Sequence, residues 1–335
     1  MRIYLDHNAT TPLDPAVADQ MAQTLRDVWG NASSVHHFGQ QAKAALDEAR
    51  ASVSALLSAD PSEIVFTAGG TEADNIAIRG AAEALEASGR KHLITCGIEH
   101  EAVLNTMKAM ARRGWRITTL PVDASGIVAV DRLREAITDD TALVSIMHAN
   151  NEIGTVQPIA ALAAVARERG ALFHTDAVQS AGKLPLDVTT LGVDLLSIAG
   201  HKFYGPKGAG ALWVKRGVRL LPFMTGGRQE RNRRAGTENV PALVGLGVAA
   251  ALARRKIDTE APRLSALRDR LEAGILSSIP GTERNGAASP RVPNTTNISV
   301  ERVEAESLLI GSTSPASPCR PDRRAPRARS NRRTC

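Results

Sequence analysis

Aromatic residues are almost missing from this chain: three Trp, two Tyr and five Phe make up 3% of its 335 residues. A core built without aromatic bulk has to be filled by Ala, Leu, Val and Ile, and a hydrophobic content of 43% is ample for a large one. Cysteine is as scarce. Cys96, Cys319 and Cys335 are too few and too scattered to form a disulfide framework or a zinc site. No apolar run approaches the roughly 18 residues of a membrane span, and residues 1–6 are too short and too polar to open a signal peptide. The expectation is a cytoplasmic protein that neither enters nor binds a membrane.

Charge of one sign is also missing from the body. The net charge of +6 resides in residues 311–335, which hold seven Arg (320, 323, 324, 327, 329, 332 and 333) against the single acid Asp322. The first 310 residues are balanced, so the basic pI gives no reason to expect a nucleic-acid partner.

What is present is an alternation. Residues 14–29 and 39–58 are Ala-rich with apolar positions three and four apart, a helical pattern. Short apolar runs at 63–67, 92–95, 115–120, 142–147, 171–175, 194–198 and 210–214 read as strands. Helical stretches through 88, from about 100, and at 131–137 and 158–169 separate several of them. That order predicts an α/β fold, a mainly parallel sheet sandwiched by helices. After about residue 255 the character changes. A helix at 260–278, then Pro280-Gly281 and Asn294-Thr295-Thr296-Asn297-Ile298-Ser299-Val300, suggest a smaller, incomplete α+β domain. The expected division is a large domain at 14–255, a small one from 1–13 and 256–310, and a disordered Arg/Pro/Ser tail at 311–335 that is foreign to the fold.

Sites in such sheets gather where strands end. Lys202 follows an apolar strand in Gly200-His201-Lys202-Phe203-Tyr204-Gly205-Pro206, and Asp176 closes the strand before it. An amine and a carboxylate delivered from two strand ends are what pyridoxal phosphate requires. The amine condenses with its aldehyde, and the acid pairs with its pyridine nitrogen. Gln179, three residues beyond Asp176, shares its face if the next turn is helical. Thr67-Ala68-Gly69-Gly70-Thr71 is either a phosphate cradle at a helix start or a tight turn capped by Thr71. His100 is either a ring that stacks on a cofactor or a helix-cap residue. Asn150-Asn151 is either a hydrogen-bonding pair facing a ligand or a polar turn. The Arg-rich loop 226–239, ending near Thr237, is either an anion site or a solvated charge run.

Taken in order, these segments resemble the cysteine desulfurases, pyridoxal-phosphate enzymes of the class V aminotransferase group. Tyr4-Leu5-Asp6-His7-Asn8-Ala9-Thr10-Thr11-Pro12 looks like their opening segment, and the resemblance runs from residue 3 to 310. It implies an aspartate-aminotransferase-like large domain, L-cysteine as substrate and a homodimer. It further implies a sulfur-acceptor or scaffold protein in iron–sulfur cluster or thio-cofactor synthesis. By the same resemblance Lys202 holds the cofactor through its amine and His100 stacks on the ring. Asp176 pairs with the ring nitrogen, and Gln179 and Asn151 reach the ring oxygen or the substrate. Gly70, Thr71 and His201 bind the phosphate, and Thr237 reaches the phosphate of the other subunit. Ala199 stands where a phosphate-binding Ser is usual. Another class V transaminase or lyase, or a non-catalytic cofactor-binding remnant, are the alternative readings.

The resemblance stops at the tail. The family places its sulfur-accepting Cys in a Ser-Ser-Gly-Ser-Ala-Cys loop shortly after the segment at 304–310, and no such loop is written in residues 311–335. Shifting the reverse-translated frame by one base lets residues 312–335 be read as Leu-Asp-Leu-Ala-Gly-Ile-Ala-Val-Ser-Ser-Gly-Ser-Ala-Cys-Thr-Glu-Gly-Ala-Val-Glu-Pro-Ser-His-Val. The cysteine codon then straddles Arg324 and Ala325. The expectation is a frameshift near codon 310 and a chain that is C-terminally truncated relative to its family. Such a chain would bind cofactor, desulfurate poorly, and expose apolar surface in the small domain.

Overall fold

In the computed structural model, which describes residues 3–286 and 289–313, helices α1 (Pro15–Asp27) and α2 (His37–Leu56) precede strand β1 (Ile64–Thr67). Then follow α3 (Gly70–Glu86), β2 (His92–Cys96), α4 (Glu101–Arg112), β3 (Arg116–Leu120), α5 (Val130–Ala136), β4 (Thr141–Ser145) and α6 (Ile159–Glu168). The order continues with β5 (Leu172–Asp176), α7 (Val188–Leu191), β6 (Leu195–Ala199), β7 (Gly210–Val214) and the single turn α8 (Gln229–Asn232), in which Glu230, Arg231 and Asn232 have left-handed φ. The long α9 (Val240–Ser278), β8 (Thr282–Arg284), β9 (Ile298–Val300) and α10 (Ala305–Thr313) complete it. All seven apolar runs expected to be strands are strands of one sheet, ordered β1-β7-β6-β5-β4-β2-β3.

Only β7 runs against the others. The carboxyl ends of β1, β2, β4, β5 and β6 therefore share one edge of the sheet. Successive side chains along each strand enter opposite cores. Val65, Leu93, Leu143, Leu195 and Leu212 pack with α3 and α4. Phe66, Ile94, Val144, Leu196 and Trp213 face α1, α2, α6 and α9. Because both faces are covered, β2, β4, β6 and β7 are buried along their whole length, as a central parallel sheet demands. Edge strand β3 is exposed or half-buried at every position but Leu120. Few aromatics are needed because helices approach closely. At Gly247 of α9 an added Cβ would lie 2.6 Å from Ala49 Cα of α2.

The helix expected at 260–278 is the second half of α9, which continues unbroken from Val240 through Pro262. A Pro so placed reads locally as a first-turn residue, which is where proline favours a helix start. The expected division at 255/256 falls inside this helix. Its buried residues run from Val240 to Ala250, with Glu272 the one further on, so its character does change along its length. Beyond it, β8 and β9 form an antiparallel hairpin. On α10, Leu308, Leu309 and Ile310 are each more than half exposed. No helix among the described residues is long and apolar enough to cross a membrane. The expectations for Cys319, Cys335 and residues 314–335 of the tail lie outside the described residues.

Candidate active site

Lys202 ends a 3-10 turn that begins directly after β6. The turn is clamped by the amino-terminal segment, since Thr11 donates through N and Oγ1 to the His201 carbonyl at 2.8 and 3.0 Å. Thr11 Oγ1 in turn accepts from Tyr204 N at 2.7 Å. The half-buried amine of Lys202 donates to the carbonyls of Asn8 and Ala9 at 2.5 and 2.8 Å. Burial lowers its pKa from the ordinary lysine value, and the carboxylates of Asp176 and Asp6 oppose that shift. An amine disposed in this way is a better nucleophile towards an aldehyde than a solvated one.

Asp176 sits at the end of the adjacent β5, buried, with Oδ1 accepting from Val178 N at 2.9 Å. Burial raises its carboxyl above the usual range. The Val178 hydrogen bond and the charges of His100 and Lys202 pull the other way. A buried carboxylate that has no ion-pairing arginine or lysine among the described residues suits a cation that arrives with a ligand. Gln179 is buried in the turns that follow. Its Nε2 donates to Asn8 O at 2.9 Å, and its Oε1 accepts from Lys183 Nζ at 3.0 Å.

A cavity of about 610 Å³ opens beside this group, lined by Thr10, Gly69, Gly70, Thr71, His201 and Lys207 among others. Helix α3 begins at Gly70, one residue before the expected Thr71 cap, and its N-cap Gly69 supplies no side chain. The first-turn N–H groups therefore have no intrahelical partner and face the cavity end. Glycine is required at 70, because a Cβ there would come within 2.8 Å of Val178 Cγ2. His201 Nδ1 lies 3.2 Å from Thr10 Oγ1, and burial, then Lys202 and Lys207, depress its pKa to about 4. Its ring is thus neutral at physiological pH. Ala199, fully buried at the end of β6, approaches the same point, 3.6 Å from where a Gly70 Cβ would stand.

Of its two expected roles, His100 takes that of helix cap. Its Nδ1 caps α4 by accepting from Ala102 N at 3.1 Å, which leaves Nε2 and the exposed ring faces available. The two neighbouring asparagines divide the work. Asn150 is structural, its Oδ1 accepting from Glu152 N and Ile153 N and its Nδ2 donating to Ile98 O. Asn151 is half-buried, and its carbonyl accepts from Asn8 Nδ2 at 3.1 Å. Of the expected site residues, Gly70, Thr71 and His201 line the cavity, whereas Lys202, Asp176, Gln179, His100, Asn151 and the exposed Thr237 do not.

Three participants carry no local signal. Asn8 joins Lys202, Gln179 and Asn151 across 194, 171 and 143 residues. Lys183 is a second buried amine beside the site. Glu99, directly before His100, is buried with Oε1 accepting from Met147 N at 2.6 Å and from Cys96 Sγ at 3.1 Å. Burial chiefly pushes the Glu99 carboxyl up to about 8. Burial and then the Glu99 charge hold the Cys96 thiol well above its usual range, which makes it a poor nucleophile.

Residues 3–310 match the family described as Aminotransferase class-V. The cysteine desulfurase of Trichormus azollae is 51% identical over 308 residues, covering 92% of this chain and 76% of the relative. Among solved structures, one named NifS-like protein superposes with a TM-score of 0.88 at 37% identity, over 93% of this chain and 86% of its own. Another, named SspA in complex with cysteine, superposes with a TM-score of 0.82 at 36% identity, over 93% of this chain and 87% of its own.

Proposed function

The chain belongs to the class V aminotransferase family and, within it, to the cysteine desulfurases, and from that premise we propose that it removes sulfur from L-cysteine, leaving L-alanine, with pyridoxal phosphate held at Lys202. The observation that carries the site assignment is the pairing of a half-buried amine and a buried carboxylate at adjacent strand ends, beside a cavity that meets an uncapped helix N-terminus.

The residues present fit that cofactor. Gly70, Thr71 and neutral His201 would hold its phosphate, and Asp176 would pair with its ring nitrogen. Gln179 and Asn151 would reach its ring oxygen or the substrate, and the free face of His100 would lie against the ring. Bound there, pyridoxal phosphate supplies an electron sink for charge developing on the substrate. The chain supplies the rest. Asp176 keeps the positive charge that makes the sink effective. Lys202 and His100 Nε2 are the groups placed to hold and move protons. The sulfur leaves cysteine for a thiolate, which becomes a persulfide, and Cys96 is unsuited to that task because it is buried and held neutral.

The acceptor is expected elsewhere. Residues 311–335 as written hold no acceptor loop and read as the family's acceptor loop only in a shifted frame. The 335-residue polypeptide is therefore expected to load cofactor but to release sulfide poorly. Ordinary sulfide release would refute this, and so would an intact reading frame for the tail in the source gene. We further place it in the cytoplasm as a homodimer. Thr237, exposed and not among the residues lining the cavity, would serve the partner's phosphate, and the sulfur would pass to an acceptor or scaffold protein for iron–sulfur cluster or thio-cofactor assembly.

The test is reconstitution with pyridoxal phosphate. Borohydride should bleach the visible band of the bound cofactor and leave the cofactor covalently attached to the Lys202 peptide, and Lys202→Ala should show no such attachment. With dithiothreitol added as the thiol that accepts the sulfur, single-turnover incubation with L-cysteine should yield L-alanine. Amino transfer to a keto acid without loss of sulfur would favour the transaminase reading instead.

A further inference from the structure

Lys183 is 8% exposed, yet no carboxylate pairs with it among the described residues. Buried lysines are rare without a counter-charge, because desolvating an ammonium is costly. Among the described residues its one hydrogen-bond partner is Gln179 Oε1, at 3.0 Å. The other end of that amide donates to Asn8 O at 2.9 Å, and the same carbonyl accepts from Lys202 Nζ. The two amines are thus joined through Gln179 and the Asn8 backbone.

We propose that Lys183 is a positioning residue, whose amine fixes the Gln179 amide with Oε1 turned away from the cofactor site and Nε2 turned towards it. An ammonium or amine facing an amide as donor can meet only its oxygen, and a backbone carbonyl can meet only its nitrogen. Reversing the amide would set donor against donor and acceptor against acceptor. The two contacts agree, but they are not equally durable. The contact with Asn8 is given up when Nε2 turns to a ligand oxygen, and the contact with Lys183 remains. Lys183 is then the group that keeps Gln179 a donor rather than an acceptor. Burial and the nearby Lys202 charge lower its pKa to about 7, so the ammonium, which can only donate, prevails below that pH.

This inference rests on the pyridoxal phosphate reading of the site, and the experiment separates the two. Lys183→Met removes the donor, and Lys183→Gln keeps a donor without charge. Each is made alone and in a Gln179→Leu background. The readouts are the position and pH midpoint of the visible band of the bound cofactor, and cofactor affinity by equilibrium dialysis. Lys183→Met should displace the band and weaken affinity by about three- to tenfold, the size of one lost hydrogen bond. Lys183→Gln should restore most of both. In the Gln179→Leu background Lys183→Met should change neither. An unchanged band in Lys183→Met, or an equal displacement with and without Gln179, would overturn the proposal. If Lys183→Met does not fold, as judged by circular dichroism, Lys183→Gln decides alone: a parent-like band supports the proposal and a displaced band refutes it. A parent protein without a fixable band would overturn the cofactor reading and this inference together. A normal band indifferent to Lys183 overturns this inference only.

Discussion

Arg50 and Glu230 form a buried two-point ion pair across 180 residues, with Nη1–Oε2 and Nη2–Oε1 at 2.8 and 2.7 Å. The pair ties the Arg-rich loop to the edge of the sheet. Glu230 Oε2 also accepts from Phe66 N at 2.8 Å, and the Arg50 guanidinium lies 4.3 Å from the centre of the Phe66 ring while donating to Ile64 O. The anchor is needed because Glu230, Arg231 and Asn232 all have positive φ, at 43, 56 and 64°. Consecutive left-handed residues without glycine are costly and persist only where the surroundings hold them.

Removing one partner should therefore strand a buried charge. Arg50→Met or Glu230→Gln is expected to cost about 3–5 kcal/mol in urea unfolding, whereas a well-packed double replacement costs much less. A double variant whose loss equals the sum of the two single losses would show that the pair is not a coupled unit.

Glu99 sets the sign of one pH dependence. Its folded pKa of about 8 lies above the ordinary 4.5, so its contribution to stability is complete below 4.5 and is lost as pH rises through about 8. The melting temperature of Glu99→Gln should gain on the parent between those limits and then run parallel to it. Thermal melts from pH 5 to 9 measure this, and a gap independent of pH would contradict it.

Glu272 sets the opposite sign. It is buried, which by itself raises its pKa, but hydrogen bonds from Arg291, Thr296 and Arg284 prevail and hold it at about 2. The stability it confers is present above 4.5 and is lost as pH falls towards 2. Glu272→Gln should lose about 3 kcal/mol at pH 6, as expected for breaking a buried ionic cluster. That deficit should shrink on acidification in parallel denaturation series.

Ala199 offers a gain. Its Cβ lies beside the Gly70 end of the cavity, so Ala199→Ser should add one hydrogen bond to a bound phosphate. Cofactor affinity is expected to tighten by about three- to tenfold. Equilibrium dialysis of the two proteins decides, and unchanged or weaker binding would remove Ala199 from the phosphate end.

The sequence by itself determined the pieces. Seven short apolar runs became seven strands, because a buried strand is marked by its own residues. Lys202, Asp176 and Gly70 could be read as site residues because strand ends and Gly turns are local signals too. The charge of the tail was separable for the same reason. Only the tertiary structure decided how the pieces meet. The reversal of β7, the single long α9, the pairing of Arg50 with Glu230, and Asn8 bridging Lys202 to Gln179 are contacts between residues far apart in the chain. Periodicity and capping act over a few residues, whereas these contacts depend on which surfaces pack together once the sheet has formed. Lys183 belongs to this second group: in sequence it is one lysine among many, and burial against Gln179 gives it its role.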